Sequence, residues 1–172
     1  MGRKPSIDKA GLLEAAEHII RTRGAGALSF DAIAKAAGVS KGGVQSAFGS
    51  KEELLTALYE YLDSGYEERF NAAKAAGACA VDAYVDAATA AENAVNQRIA
   101  SLSLAMTQEP ESRECLRKWY AEGFPDLSSA TPQGRQEILR LCALEGALML
   151  RSMNLLPLQE GDWDQVFTDL RA

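Results

Sequence analysis

Lys41, Gln45, Ser46 and Lys51 fall within eleven residues of one another, with Ser29 ahead of them and the Gly42-Gly43 pair between. Two ammonium groups, two hydroxyls and a carboxamide form no nucleophile-and-base pair, but they suit recognition of an anion or a base edge. A carboxamide pairs in bidentate fashion with adenine N6 and N7, and an ammonium at a helix N-terminus clamps phosphate together with the free backbone amides. Gln45 is therefore the first choice for reading a base, Lys41, Lys51 and Ser29 suit phosphates, and Ser46 suits either. Two glycines in succession cost about 1 kcal/mol each inside a helix and less in a first turn. Gly42 and Gly43 either let the backbone approach a polyanion closely or only tolerate a tight helix start. No Gly-rich phosphate loop, metal-ligand spacing or Ser/His/Asp constellation accompanies them, so no catalytic residue, metal ligand or cofactor is assigned and the chain is not expected to be an enzyme.

Two short helices and a tight turn would position these groups. Ser29 is placed to cap a first helix whose inner face is Phe30, Ile33, Ala34 and Ala37, at spacings of three and four. Gly38 suits the left-handed residue that ends it, Val39 would plug the angle, and Ser40 would cap a second helix. That helix turns Lys41, Gln45 and Ser46 outward and Val44 and Phe48 inward. Ser50-Lys51-Glu52-Glu53 reads as a capping box opening a long helix, whose stripe Leu54, Leu55, Leu58, Tyr59, Leu62, Tyr66, Phe70 runs to about residue 75. Upstream, Arg3-Lys4-Pro5 reads as a basic arm before a helix capped by Ser6 or Asp8, with Leu12, Leu13, Ala16, Ile19 and Ile20 on one face and Gly24 at its end. His18, the single histidine, falls beside that face and reads as a partly exposed structural residue.

Charge divides along the chain. The first 51 residues hold eight Lys/Arg against four acids, a net of +4, which leaves −10 of the total −6 for the remainder. A basic head on an acidic body approaches a polyanion head-first. The 172 residues, 47% of them hydrophobic, can bury a core as one domain or as a small domain joined to a larger one. There is no apolar run of eighteen residues and no signal-like N-terminus, so a cytoplasmic protein without membrane contact is expected. Cys79, Cys115 and Cys142, odd in number and widely spaced, read as reduced core thiols.

The pattern I-A-x-A-A-G-V-S-K-G-x-V-x-x-x-F-x-S-K-E-E-L over residues 33–54 resembles the signature of the tetracycline-repressor (TetR) family of bacterial transcription regulators. The likeness reaches upstream through Leu12-Leu13-Glu14-Ala15-Ala16 to Arg23-Gly24, about the first third of the chain. It implies an all-α fold, with an N-terminal three-helix helix-turn-helix DNA-binding domain over residues 1–52 and a helical ligand-binding and dimerisation domain over residues 53–172. It also implies a homodimer on a palindromic double-stranded operator, acting as a repressor released by a small-molecule effector whose identity the chain does not give. Where such proteins commonly carry tyrosine and histidine in the second helix, this chain has Gln45 and Ala47, and it has Gly43 where threonine or alanine is usual. Loss of the aromatic phosphate clamp keeps open a rival, an interaction or scaffold module of the same fold without operator recognition.

The body reads as helical throughout: residues 80–96, 97–108 up to Pro110, 111–123, a loop over 125–132, then 133–154, and a last helix from about 162 to 170 capped by Gly161-Asp162. Tyr84, Met106, Trp119, Tyr120, Met149 and Met153 either line a small-molecule pocket or are plain core. The segment 139–158, with Glu145-Gly146 in an apolar helix, resembles the penultimate helix of some TetR-like regulators. Gly146 would then permit close approach at a four-helix dimer interface, the alternative being an internal core helix.

Overall fold

The computed structural model describes residues 8–171, the Ser64 side chain excepted; the basic arm at Arg3-Lys4-Pro5 and the alternative cap Ser6 lie outside them. All regular structure among these residues is helical: α1 (Lys9–Arg23), a 3-10 turn (Ala25–Ala27), α2 (Phe30–Ala37), α3 (Lys41–Phe48), α4 (Lys51–Ala75), α5 (Ala80–Ala90), α6 (Asn93–Met106), α7 (Pro110–Gly123), α8 (Pro132–Ser152) and α9 (Glu160–Asp169). They form two compact units. The first comprises Met1–Leu62 with Ser101–Leu116, the second Asp63–Ala100 with Arg117–Ala172, so α4, α6 and α7 each contribute to both.

In the first unit Asp8 caps α1 by accepting from the Ala10 amide at 3.1 Å, and Arg21 and Arg23 face the negative end of that helix. Leu12, Ala16, Ile19 and Ile20 are buried against Ile33, Ala34, Val44, Phe48 and the first turns of α4. Met106 and Leu116 join this core. His18 is exposed, its Nδ1 within 3.2 Å of the Arg21 guanidinium.

The second unit is built on a cluster of six aromatic rings from α4, α5 and α7 with the residues just after it, and on the inner face of α8, Leu141, Leu144, Ala147 and Leu148. Two of its helix boundaries, and the burial of the cysteines, differ from expectation. The alanine-rich stretch does not run to residue 96 but breaks at Ala91-Glu92, because the buried Asn96 side chain donates to the Ala88 carbonyl at 3.0 Å and satisfies an acceptor that the end of α5 leaves open. α9 starts earlier than expected, at Glu160, since the Asp162 carboxylate reaches back to accept from the Gln159 amide at 3.0 Å. Cys79 and Cys142 are exposed and Cys115 half-buried, so none is a fully buried thiol; Cys79 serves as N-cap of α5.

α8 is apolar on two faces. Opposite its buried stripe, Leu139, Cys142, Met149 and Met153 are exposed and Gly146 lies among them, at alternating spacings of three and four; Leu139 is 69% exposed. Leu155, Leu156 and Leu158 continue the exposed apolar run beyond the helix.

On α4, Asp63 is only 5% exposed, and burial, with Glu67 one turn on, pushes its carboxyl up to about 6. A folded-state value above the ordinary 3.8 means that the native protein holds a proton which the unfolded chain has lost. Stability from this group is therefore present at acid pH and declines as pH rises from about 4 through about 6. Asp63→Asn is expected to remove that decline and to gain about 2 kcal/mol over the native protein at pH 7.5. Urea unfolding of both proteins at pH 4.5 and 7.5 checks it, and parallel pH dependences would show that Asp63 is not held protonated.

Candidate nucleic-acid interface

Each helix of the motif is started and stopped by its own residues. Ser29 Oγ accepts from the Ala32 amide at 3.1 Å, Ser40 Oγ from Gly43 at 3.1 Å and Ser50 Oγ from Glu53 at 3.1 Å. Gly38, at φ +68°, ends α2, and both its amide and that of Val39 return to the Ala34 carbonyl. Two details differ from expectation. Val39 is 40% exposed and does not plug the angle, which Ile33, Ala34 and Val44 fill. The capping box at Ser50 is half formed, because the Ser50 amide donates to the Phe48 carbonyl at 2.8 Å as the chain turns out of α3 through Gly49.

Val44 and Phe48 hold α3 to the core, and Lys9 lies over the Phe48 ring at 5.1 Å. With that face fixed, Lys41, Gly42, Gln45 and Ser46 are exposed on the other, and Gly43 and Ala47 are half-buried. A Cβ on Gly42 would meet no protein atom within 4 Å, so nothing inside the chain requires glycine there. Ser29 is exposed at the start of α2, although its hydroxyl already serves as the cap. Charge near the motif is unevenly committed. Lys35 pairs with Asp31 one turn away at 2.8 Å, and hydrogen bonding to Lys35 with its charge holds the Asp31 carboxyl below the usual range. Lys41 makes no ion pair among the described residues. Lys51, in the first turn of α4, is paired with Glu109 at 2.7 Å, a partner 58 residues away that no local pattern announces.

The six residues considered for a small-molecule pocket do not converge. Tyr84, Trp119 and Tyr120 belong to the aromatic cluster with Tyr66, Phe70 and Phe124, where the Tyr84 and Trp119 centroids are 5.4 Å apart and Trp119 meets Tyr120 edge-on at 5.0 Å. Met106 is fully buried in the first unit, and Met149 and Met153 lie on the exposed face of α8. Glu145, expected only as the acid of the Glu145-Gly146 pair, accepts from the Tyr84 hydroxyl at 2.9 Å and the Tyr120 hydroxyl at 2.5 Å. A cavity of about 480 Å³ in the second unit lies elsewhere, between Lys74, Cys79, Val81, Phe124, Gly134 and Glu137. A smaller one of about 190 Å³ is bordered by Phe70 and Trp119. No group of three or more His, Cys, Asp or Glu is disposed to hold a metal ion among the described residues, and none of their helices is long and apolar enough to cross a membrane.

Several solved structures share the fold. The multidrug binding protein EbrR, in a structure with ethidium, aligns over 98% of this chain and 99% of its own at 20% identity and a TM-score of 0.67. A transcriptional regulator from Rhodococcus sp. Rha1 aligns over 94% and 92% at 18% identity and a TM-score of 0.71. FadR of Thermus thermophilus, a TetR-family repressor solved with lauroyl-CoA, aligns over 95% and 91% at 18% identity and a TM-score of 0.55. No curated protein matches the sequence. Residues 12–58, which carry α1 to the start of α4, match the sequence model of the bacterial regulatory proteins of the tetR family, and residues 78–172 match that of the tetracyclin repressor-like C-terminal domain. Since the capped helix-turn-helix and more than half of the chain behind it each match their own part of that family, the protein belongs to the TetR family of transcription regulators.

Proposed function

We propose that the protein is a homodimeric repressor that binds a palindromic double-stranded DNA operator through residues 1–52 and leaves it when a small molecule occupies the helical body, residues 53–172. The observation that carries this reading is the exposed face of α3. Lys41, Gly42, Gln45 and Ser46 are turned to solvent on a helix held from behind by Val44 and Phe48. Such a helix enters the major groove, and two copies of it on a dimer reach successive grooves about 34–36 Å apart. In this reading Gln45 reads a base, and Ser46 contacts a base or a phosphate. Lys41, Lys51 and Ser29 hold phosphates, and Gly42 and Gly43 let the backbone come close. The exposed apolar stripe of α8 supports the homodimer: a run spaced at threes and fours suits a helix of a second copy, and Gly146 within it leaves room for close approach.

For the effector, Tyr84, Trp119 and Tyr120 are the contacts we favour, since they share one cluster. Proteins of this fold bind ethidium in EbrR and lauroyl-CoA in FadR, which supports an apolar or aromatic effector here. Differential affinity for two head arrangements of about 1–3 kcal/mol would change operator binding roughly 5- to 150-fold, and the operator would weaken the ligand by the same factor.

Selection of binding sites from genomic DNA by the full chain tests the reading and yields the operator. Gln45→Ala is expected to cost about 1–3 kcal/mol at one position of each half-site and to leave non-specific affinity intact. If the variant selects the same sequence as the native protein, Gln45 reads no base. Absence of salt-dependent DNA binding by the native protein would instead favour an interaction module of the same fold.

A further inference from the structure

We propose that Glu109 is a positioning residue for DNA binding: it occupies the ammonium of Lys51, so that a DNA phosphate engages Lys51 only by exchange with this carboxylate. The inference rests on the DNA-binding reading above and on the geometry of one corner of the first compact unit. Lys51 Nζ lies 2.7 Å from Glu109 Oε1, and its side chain is 56% exposed against 23% for Glu109. The lysine is thus reachable from solvent, while its partner is anchored. Glu109 stands in the turn between α6 and α7, outside the helix-turn-helix, and Ser112, fully buried one turn on, directs its hydroxyl to the Glu52 carbonyl at 3.5 Å. The Glu52 carboxyl is held below the usual range by its own backbone amide first, then by the Ser50 hydroxyl and the charge of Lys51.

A carboxylate therefore neutralises the ammonium at the start of α4, where a helix terminus facing phosphate would be expected to be positive. The arrangement sets a sign. With the carboxylate in place, an approaching phosphate meets a neutralised lysine, which lowers affinity for any sequence. It acts on phosphate contact and not on base reading, so it lowers specific and non-specific affinity alike.

The test is a double-mutant cycle on the full-length protein, with non-specific duplex DNA as the probe across a salt series. Glu109→Gln is expected to raise non-specific affinity roughly 3- to 10-fold at about 50 mM salt, while Lys51→Ala lowers it and reduces the slope of log affinity against log salt by about one. In the double variant the gain should disappear, because the carboxylate acts through this one lysine. A gain of equal size with and without Lys51 would mean that Glu109 is only one more negative charge, and would overturn the proposal. So would unchanged or weaker binding by Glu109→Gln with an unaltered melting temperature. If Glu109→Gln melts early, Glu109→Lys in the same cycle decides: a gain that depends on Lys51 sustains the exchange, and one that does not overturns it. Native protein that binds no DNA at any salt sinks the DNA reading itself and this inference with it, whereas native binding with an inert Glu109→Gln overturns this inference alone.

Discussion

Replacing Arg140 by leucine is expected to cost about 3 kcal/mol of stability and to loosen the C-terminal helix from the rest of the second unit. The guanidinium is 11% exposed and uses every side of its fork. It pairs with Asp82 in the first turn of α5, with Glu137 one turn back on α8 at 2.9 Å, and through Nε and Nη2 with the Leu170 carbonyl at the end of α9, at 2.8 and 2.6 Å. One cation thus joins three helices, two of them at their termini. Leucine would fill a similar volume, but it would leave two partly buried carboxylates and a helix-end carbonyl without a donor. Lysine keeps the charge and loses the fork, so Arg140→Lys should lie between the two. Urea unfolding with proteolysis at α9 measures this. A loss below about 1 kcal/mol for leucine would show that water replaces the network at little cost.

Gly134→Ala should destabilise the protein by about 3 kcal/mol, against the sign that helix propensity assigns. Alanine is favoured over glycine inside a helix by about 1 kcal/mol, and Gly134 sits in the first turn of α8 behind the Thr131 cap and Pro132. A Cβ there would stand 2.1 Å from the Ser128 carbonyl oxygen and 2.9 Å from its carbon, backbone atoms of the loop that crosses the helix start. Neither side is the flexible end of a side chain, so the loop or the helix must move. Residues 124–127, 131, 133 and Gly134 itself also wall the 480 Å³ cavity, so the shift should reshape it. Thermal melting gives the sign directly. A neutral or stabilising alanine would mean that the 125–131 loop yields without cost.

The first four helices were legible because what defines them closes within a few residues. Ser29, Ser40 and Ser50 each cap an amide three positions on, Gly38 supplies the one left-handed residue the turn needs, and Val44 and Phe48 repeat at the spacing of a buried face. Local hydrogen bonds and a 3.6-residue period are properties of the chain itself, so the outward placement of Lys41, Gln45 and Ser46 follows from sequence. Val39 escaped that logic, since an apolar residue in a turn is buried only if another element comes to cover it.

Periodicity identifies an apolar stripe without saying what it faces. Met106, Met149 and Met153 have the same residue type at helical positions, yet the first is enclosed by the helix-turn-helix core and the other two are open to solvent. α8 carries two apolar faces, and only the packing of α5 and α9 decides which one is filled from within the chain. Contacts between distant residues decided the remainder. Lys51 and Glu109 are 58 positions apart, Tyr84 and Glu145 are 61, and Arg140 and Asp82 are 58. Opposite charges and hydroxyls are scattered all along this sequence, and which of them pair depends on how the helices cross, so α3 and its outward face were determined by the sequence alone while the partner of the neighbouring Lys51 was fixed only by the tertiary structure.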